Sequence, residues 1–254
     1  MVLLGAASMR SPQLRVVSVV VLAVVLIAGC QAHNESADEQ SVHEGTTAGK
    51  AITAGTPAGD TKPVLMLGRS VMWGWFKHWG CDGTPESMPI ERDGYSLTYS
   101  EIAAPPDIAT SATDRMDEAR EGSVVFFKFC FDDFPGGEDA ATRFEDQKDW
   151  IEAVVAKAEE RRQRVIIGNA LPKVALSTDP TLVAEHRQFN ARLADYAANS
   201  DGNVLVYDFY GVLAGSDGAL KADYASSPDD SHPNDRGYAE LDPSFFELLG
   251  QVAQ

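Results

Sequence analysis

Two short stretches carry residue types that could do chemistry together. Ser70 stands in Gly68-Arg69-Ser70-Val71-Met72, directly after the apolar run at 64–67. A serine at a strand-to-helix turn has its backbone N–H at a helix N-terminus, where developing negative charge is stabilised, and its hydroxyl clear of the core. A serine that merely caps the helix would sit in the same place. Near the other end of the chain is Asp229-Asp230-Ser231-His232-Pro233-Asn234, followed by Gly237 and Tyr238. A serine hydroxyl needs a base to take its proton, and an imidazole base needs a carboxylate to orient it. Asp229, three residues before His232, can fold back within one turn to reach the ring. Ser70, His232 and Asp229 are therefore candidates for nucleophile, base and orienting acid, while an acidic helix-capping loop with an incidental histidine would read the same way. The other histidines have plainer settings: His33 and His43 lie in a polar stretch, and His78 and His186 are expected at the surface of helices.

The elements that must position these residues are legible as apolar runs. Residues 64–68, 124–129, 165–168 and 204–207 are continuous runs of β-branched, aromatic or aliphatic residues, and 96–102 alternates more weakly. Continuous runs bounded by turn residues suit strands buried on both faces, as in a parallel sheet. Between them, residues 142–162 carry Phe144, Trp150, Ile151, Val154, Val155 and Ala158 at helical spacing, and 182–198 carry Phe189, Leu193 and Tyr196. Residues 234–252 supply a last helix. Such alternation predicts an α/β fold: a three-layer α/β/α sandwich around a mostly parallel sheet of about five strands. In open sheets of this kind ligands bind beyond the carboxyl ends of the strands, which directs attention to the residues after Leu67, Phe129, Ile167 and Phe209. After Ser70, the residues Met72, Trp75, Phe76 and Trp79 form a core-facing stripe. Trp73 lies off that stripe and is a candidate for stacking on a sugar ring or acyl group.

The first 62 residues read differently. Arg10 and Arg15 precede a nearly unbroken apolar run at 16–28, which is short for a membrane span and ends in small residues, as export signals do. Its end, Ile27-Ala28-Gly29-Cys30, resembles a bacterial lipobox, in which the cysteine after the cleavage point carries diacylglycerol. Residues 1–29 are thus expected to be a lipoprotein signal peptide, with Cys30 lipidated and the product anchored outside the cytoplasm on the cell membrane, or on an outer membrane where one exists. From 31 to about 61 almost nothing is large and apolar, so the segment 30–62 is expected to act as a tether. Residues 63–254 form the folded domain. Export would permit a disulfide between Cys81 and Cys130. Their expected places, at the far end of the helix after Ser70 and at the top of a strand, oppose one. A net charge of −17 and no Lys/Arg cluster argue against nucleic acid as a partner.

Taken together, the serine turn, the Asp229–Tyr238 stretch and the strand–helix alternation over 63–254 resemble the SGNH (GDSL-like) hydrolase family. That family places its nucleophile after the first strand and an Asp-x-x-His pair before the last helix. The resemblance implies ester hydrolysis through Ser70, His232 and Asp229, with no cofactor and a small-molecule or glycan ester as substrate. An α/β-hydrolase fits less well, because Met72 occupies the last position of the Gly-x-Ser-x-Gly elbow. Three departures stand out. Arg69 replaces the aspartate of the Gly-Asp-Ser block. In Lys128-Phe129-Cys130-Phe131-Asp132-Asp133, Asp132 falls where the family has an oxyanion-hole asparagine, and Cys130 where it has glycine. No clear glycine follows the second strand, where the residues are Ala103-Ala104-Pro105-Pro106. An ionised Asp132 only accepts hydrogen bonds, so Asn169, just past a later strand, is a second candidate for the oxyanion site. The Lys-Phe-Cys-aromatic run resembles that of a divergent branch of the family. The acids Asp132, Asp133, Asp229 and Asp230 read as solvated loop residues, with no metal expected. An acyltransferase using the same three residues and a non-catalytic glycan-binding protein are the alternative readings.

Overall fold

A computed structural model describes residues 61–81 and 89–252. The export segment, Cys30, and the stretch with His33 and His43 lie outside the described residues. Six strands form the main sheet: β1 (Lys62–Gly68), β2 (Ile90–Arg92), β3 (Tyr95–Glu101), β4 (Val124–Lys128), β5 (Arg164–Gly168) and β6 (Val204–Tyr207). Their order is β2-β3-β1-β4-β5-β6, all parallel except β2, which adds to the edge antiparallel to β3. The sheet therefore has one strand more than expected. Ile90–Arg92 is too short and too charged to stand out as a strand. Its parallel part runs 2-1-3-4-5, and the winding reverses between β1 and β4, where ligands bind in folds of this order.

Helices cover both faces, which is why the strands are apolar throughout. Val64, Met66 and Phe126 face one cluster and Leu65, Leu67, Val125 and Phe127 the other, following the two-residue repeat of a strand. Against the first face pack α1 (Ser70–His78), α5 (Phe209–Leu213) and α6 (Asp235–Val252), through Trp75, Phe76, Phe209, Leu241 and Phe245. Against the second pack α2 (Ile108–Glu118), α3 (Ala140–Glu160) and α4 (Pro180–Ala198), through Met116, Ile151, Val154, Phe189 and Leu193. The start of α4 is set by Asp179, whose side chain accepts from the Leu182 N–H at 2.8 Å, and by Pro180, whose missing donor costs nothing in a first turn. Cys81 and Cys130 are both buried and free. No described helix is long and apolar enough to cross a membrane.

Two features correct the sequence reading. His186, expected at the surface, is fully buried on α4, with its ring edge-on to Phe134 and Tyr210. The stretch around His232, expected to be a loop, contains a two-stranded antiparallel ribbon of β7 (Ala225–Ser227) and β8 (Asp230–Pro233).

Candidate active site

Ser70 opens α1 immediately after β1, so its backbone sits at the switch point of the sheet. Arg69 caps the helix in an extended conformation, and its carbonyl accepts from Met72 and Trp73. The first-turn N–H groups of a helix, here those of Ser70 and Val71, have no partner within the helix. Unpaired N–H groups at a helix N-terminus favour negative charge placed beside them. The turn is fixed from both sides: Gly68 O accepts from the Ile102 N–H at 3.1 Å, and Tyr238 on α6 donates from its hydroxyl to Val71 O at 3.0 Å. Tyr238 reaches α1 across Gly74, where a methyl group would lie 2.1 Å from its oxygen.

His232 arrives from β8. Its Nε2 is 2.8 Å from Ser70 Oγ, and its Nδ1 is 2.6 Å from Asp230 Oδ1. The same carboxylate oxygen also accepts from the His232 N–H at 3.0 Å. These bonds from the His232 backbone and ring hold the Asp230 carboxyl below its ordinary pKa. A carboxylate can only accept, so Nδ1 carries the proton and Nε2 presents its lone pair to the serine hydroxyl. Phe131, just after β4, stands edge-on to the imidazole at 5.1 Å. Asn234 ties the ribbon to the last helix: its amide donates to Asp223 O and Ala225 O, and its oxygen accepts from the Gly237 N–H. Ser231 Oγ accepts from the Val174 N–H at 3.1 Å, joining β8 to the loop after β5.

The carboxylate beside the His232 ring is thus Asp230, and not Asp229 as expected. In a strand, side chains two residues apart share a face and those three apart do not. Because β8 begins at Asp230, Asp230 lies beside His232, while Asp229 hydrogen-bonds to Ser227 Oγ at 2.5 Å. The other candidates are not gathered at the serine hydroxyl. Asp132 is exposed, with Lys173 Nζ 4.0 Å away. Asn169 donates to Asp208 at 2.7 Å and accepts from the Tyr210 N–H at 2.9 Å, so its amide joins the ends of β5 and β6. Trp73 stacks on Tyr99 with ring centroids 6.0 Å apart and carries Lys77 Nζ over its ring, which is a packing role. Asp133, the remaining loop acid, is buried and paired with Arg69 at 2.5 Å, and its other oxygen accepts from the Cys130 N–H. Each of the four acids has its own separate partner. Sequence reasoning missed Asp230, Phe131 and Asn234; only the two-residue spacing of Asp230 and His232 offered a signal.

No protein-family model matches the sequence, and no curated protein sequence matches it significantly. Solved structures do match. A protein of Bacteroides fragilis assigned as an acylhydrolase aligns over 76% of this chain and 88% of its own, with 17% identity and a TM-score of 0.56. A GDSL-like lipase of Bacteroides thetaiotaomicron aligns over 75% and 89%, with 16% identity and a TM-score of 0.55. A protein of Parabacteroides merdae assigned as a GDSL-like lipase aligns over 75% and 96%, with 13% identity and a TM-score of 0.53. The likeness is one of fold: this chain has the SGNH hydrolase fold, as the motif order implied.

Proposed function

We propose that the protein is an extracytoplasmic serine esterase that hydrolyses acyl esters, acetyl esters of carbohydrate among them, through a covalent acyl-enzyme on Ser70. The observation that carries this reading is the continuous relay Ser70 Oγ–His232 Nε2–Asp230, with steps of 2.8 and 2.6 Å. Ser70 Oγ attacks the ester carbonyl while His232 Nε2 takes its proton. The tetrahedral oxyanion forms at the first turn of α1, facing the Ser70 N–H. His232 then protonates the departing alcohol. Water repeats the sequence: His232 takes its proton, the acyl group leaves as the acid, and Ser70 recovers its hydrogen. Ser70 is exposed and His232 half-buried, so an ester borne on a bulky alcohol has access. The export-like run at 16–28 and the lipobox-like Cys30 support attachment to a bacterial membrane by a lipid on Cys30.

The test is hydrolysis of p-nitrophenyl acetate by the full chain beside Ser70→Ala and His232→Ala. Both substitutions should lower turnover at least about 1,000-fold with the circular dichroism spectrum unchanged. Equal rates in all three proteins would refute the Ser70 assignment. No turnover in wild type, with unaltered glycan binding in Ser70→Ala, would favour the binding-protein alternative.

A further inference from the structure

A lysine at the end of β4 has no part in that mechanism. Lys128 is the last residue of β4 and is fully buried. Alternation along the strand puts its side chain on the face of Phe126, towards α1. The strands on either side end in glycine: a methyl group on Gly68 would lie 3.3 Å from Lys128 Cε, and one on Gly168 3.0 Å from its Cβ. The stem therefore runs in a channel between two glycines and passes the root of the turn that carries Ser70. Its ammonium donates to Phe129 O at 3.2 Å. The charged and titratable groups facing it are Arg69 on the turn into α1, and Cys130 and Asp133 beyond β4. Asp133 is already engaged by Arg69. Lys128, Arg69 and the buried Asp133 together carry an excess positive charge, with the exposed Asp132 acting on Arg69 from outside this group. Such a charge is costly to bury, and a methionine would fill the channel without that cost.

We propose that Lys128 is a positioning residue for the Ser70 reaction, its buried ammonium setting a positive potential beneath the first turn of α1 that favours an oxyanion at the Ser70 N–H. The proposal rests on the esterase reading. Lys128 Cε passes Gly68 at the end of β1, so the charge lies beside the switch point of the sheet. Neither Asp132, which faces solvent, nor Asn169, held by Asp208 and Tyr210, supplies it. Burial lowers the pKa of Lys128 to about 8, against the opposing pull of Cys130 and Asp133. The charge is therefore present at neutral pH and lost a little above it.

The experiment follows kcat and KM for p-nitrophenyl acetate from about pH 6 to 10, with the full chain as wild type, Lys128→Met and Cys130→Ser. In wild type, kcat should fall about tenfold or more across a limb centred near pH 8. Lys128→Met should lose about tenfold in kcat at pH 7 with KM unchanged, and its alkaline limb should vanish. Cys130→Ser should keep the limb, which assigns it to the lysine and not to the neighbouring thiol. A flat wild-type profile, a Lys128→Met enzyme matching wild type at pH 7, or a limb lost in Cys130→Ser would each overturn the proposal and leave the esterase reading standing. If Lys128→Met fails to fold, Lys128→Gln takes its place, with the same loss in kcat at pH 7 and the same disappearance of the alkaline limb expected. Absence of any Ser70-dependent turnover would remove the esterase reading, and this proposal with it.

Discussion

His232 has a different partner at each ring nitrogen, and the two differ in what they can exchange. Asp230 fixes the proton on Nδ1, which leaves Nε2 basic and aimed at Ser70. Removing that carboxylate frees the ring to rotate and to adopt the wrong tautomer. Asp230→Ala is expected to lower kcat about 100-fold or more, whereas Asp229→Ala, which loses only its bond to Ser227, should stay within about threefold. The comparison is direct, because both carboxylates are exposed enough that neither substitution opens a cavity. A larger loss in Asp229→Ala would return the orienting role to that residue. Ser70 and His232 were legible because their positions follow from the order of elements, the serine after the first strand and the histidine before the last helix. The choice between two adjacent aspartates was not legible. It turns on whether the backbone at 230–232 is a loop or a strand, and Asp-Asp-Ser-His has neither the apolar alternation nor the β-branched residues that announce a strand.

The ribbon of β7 and β8 is short, with three and four residues and one irregularity in its register. Its position depends on side-chain hydrogen bonds at its ends. Asn234 makes three of these, two as donor to Asp223 O and Ala225 O and one as acceptor from the Gly237 N–H in the first turn of α6. Asn234→Ala is therefore expected to destabilise the protein by about 1–2 kcal/mol in urea denaturation. Turnover should fall beyond what unfolding explains, since His232 sits one residue from the end of β8. Unchanged stability and turnover would show that Pro233 and the Ser231–Val174 bond hold the ribbon by themselves. The elements of the core were legible for a reason this ribbon lacks. Runs such as Val124-Val125-Phe126-Phe127 are buried on both faces, so hydrophobicity alone marks them. Short pieces held by polar contacts, β2 and the ribbon among them, leave no such mark.

At the scale of the whole molecule, acid acts in opposing directions. With a net charge of −17, protonating carboxylates relieves self-repulsion as pH falls. His186 works against this. It lies fully buried between Phe134 and Tyr210, and among the described residues neither ring nitrogen has a hydrogen-bond partner. Burial, aided by Lys173, lowers its pKa from 6.5 to about 4. A base whose folded pKa is lowered stays neutral in the native state and takes up a proton in the unfolded chain. Its contribution to stability is therefore intact above pH 6.5 and is lost as pH falls towards 4. Between pH 7 and pH 5 that loss is about 2 kcal/mol. His186→Phe keeps an aromatic ring in the site and removes the titration, so its stability should fall about 2 kcal/mol less than wild type over the same interval. Only the difference in slope matters: any packing cost of the larger ring is the same at both pH values. Glu185, whose carboxyl is raised chiefly by burial, titrates in both proteins and cancels in the comparison. Parallel slopes for the two proteins in urea denaturation would mean that folded His186 accepts its proton at the ordinary pH, and that the packing around α4 opens to admit water when it does.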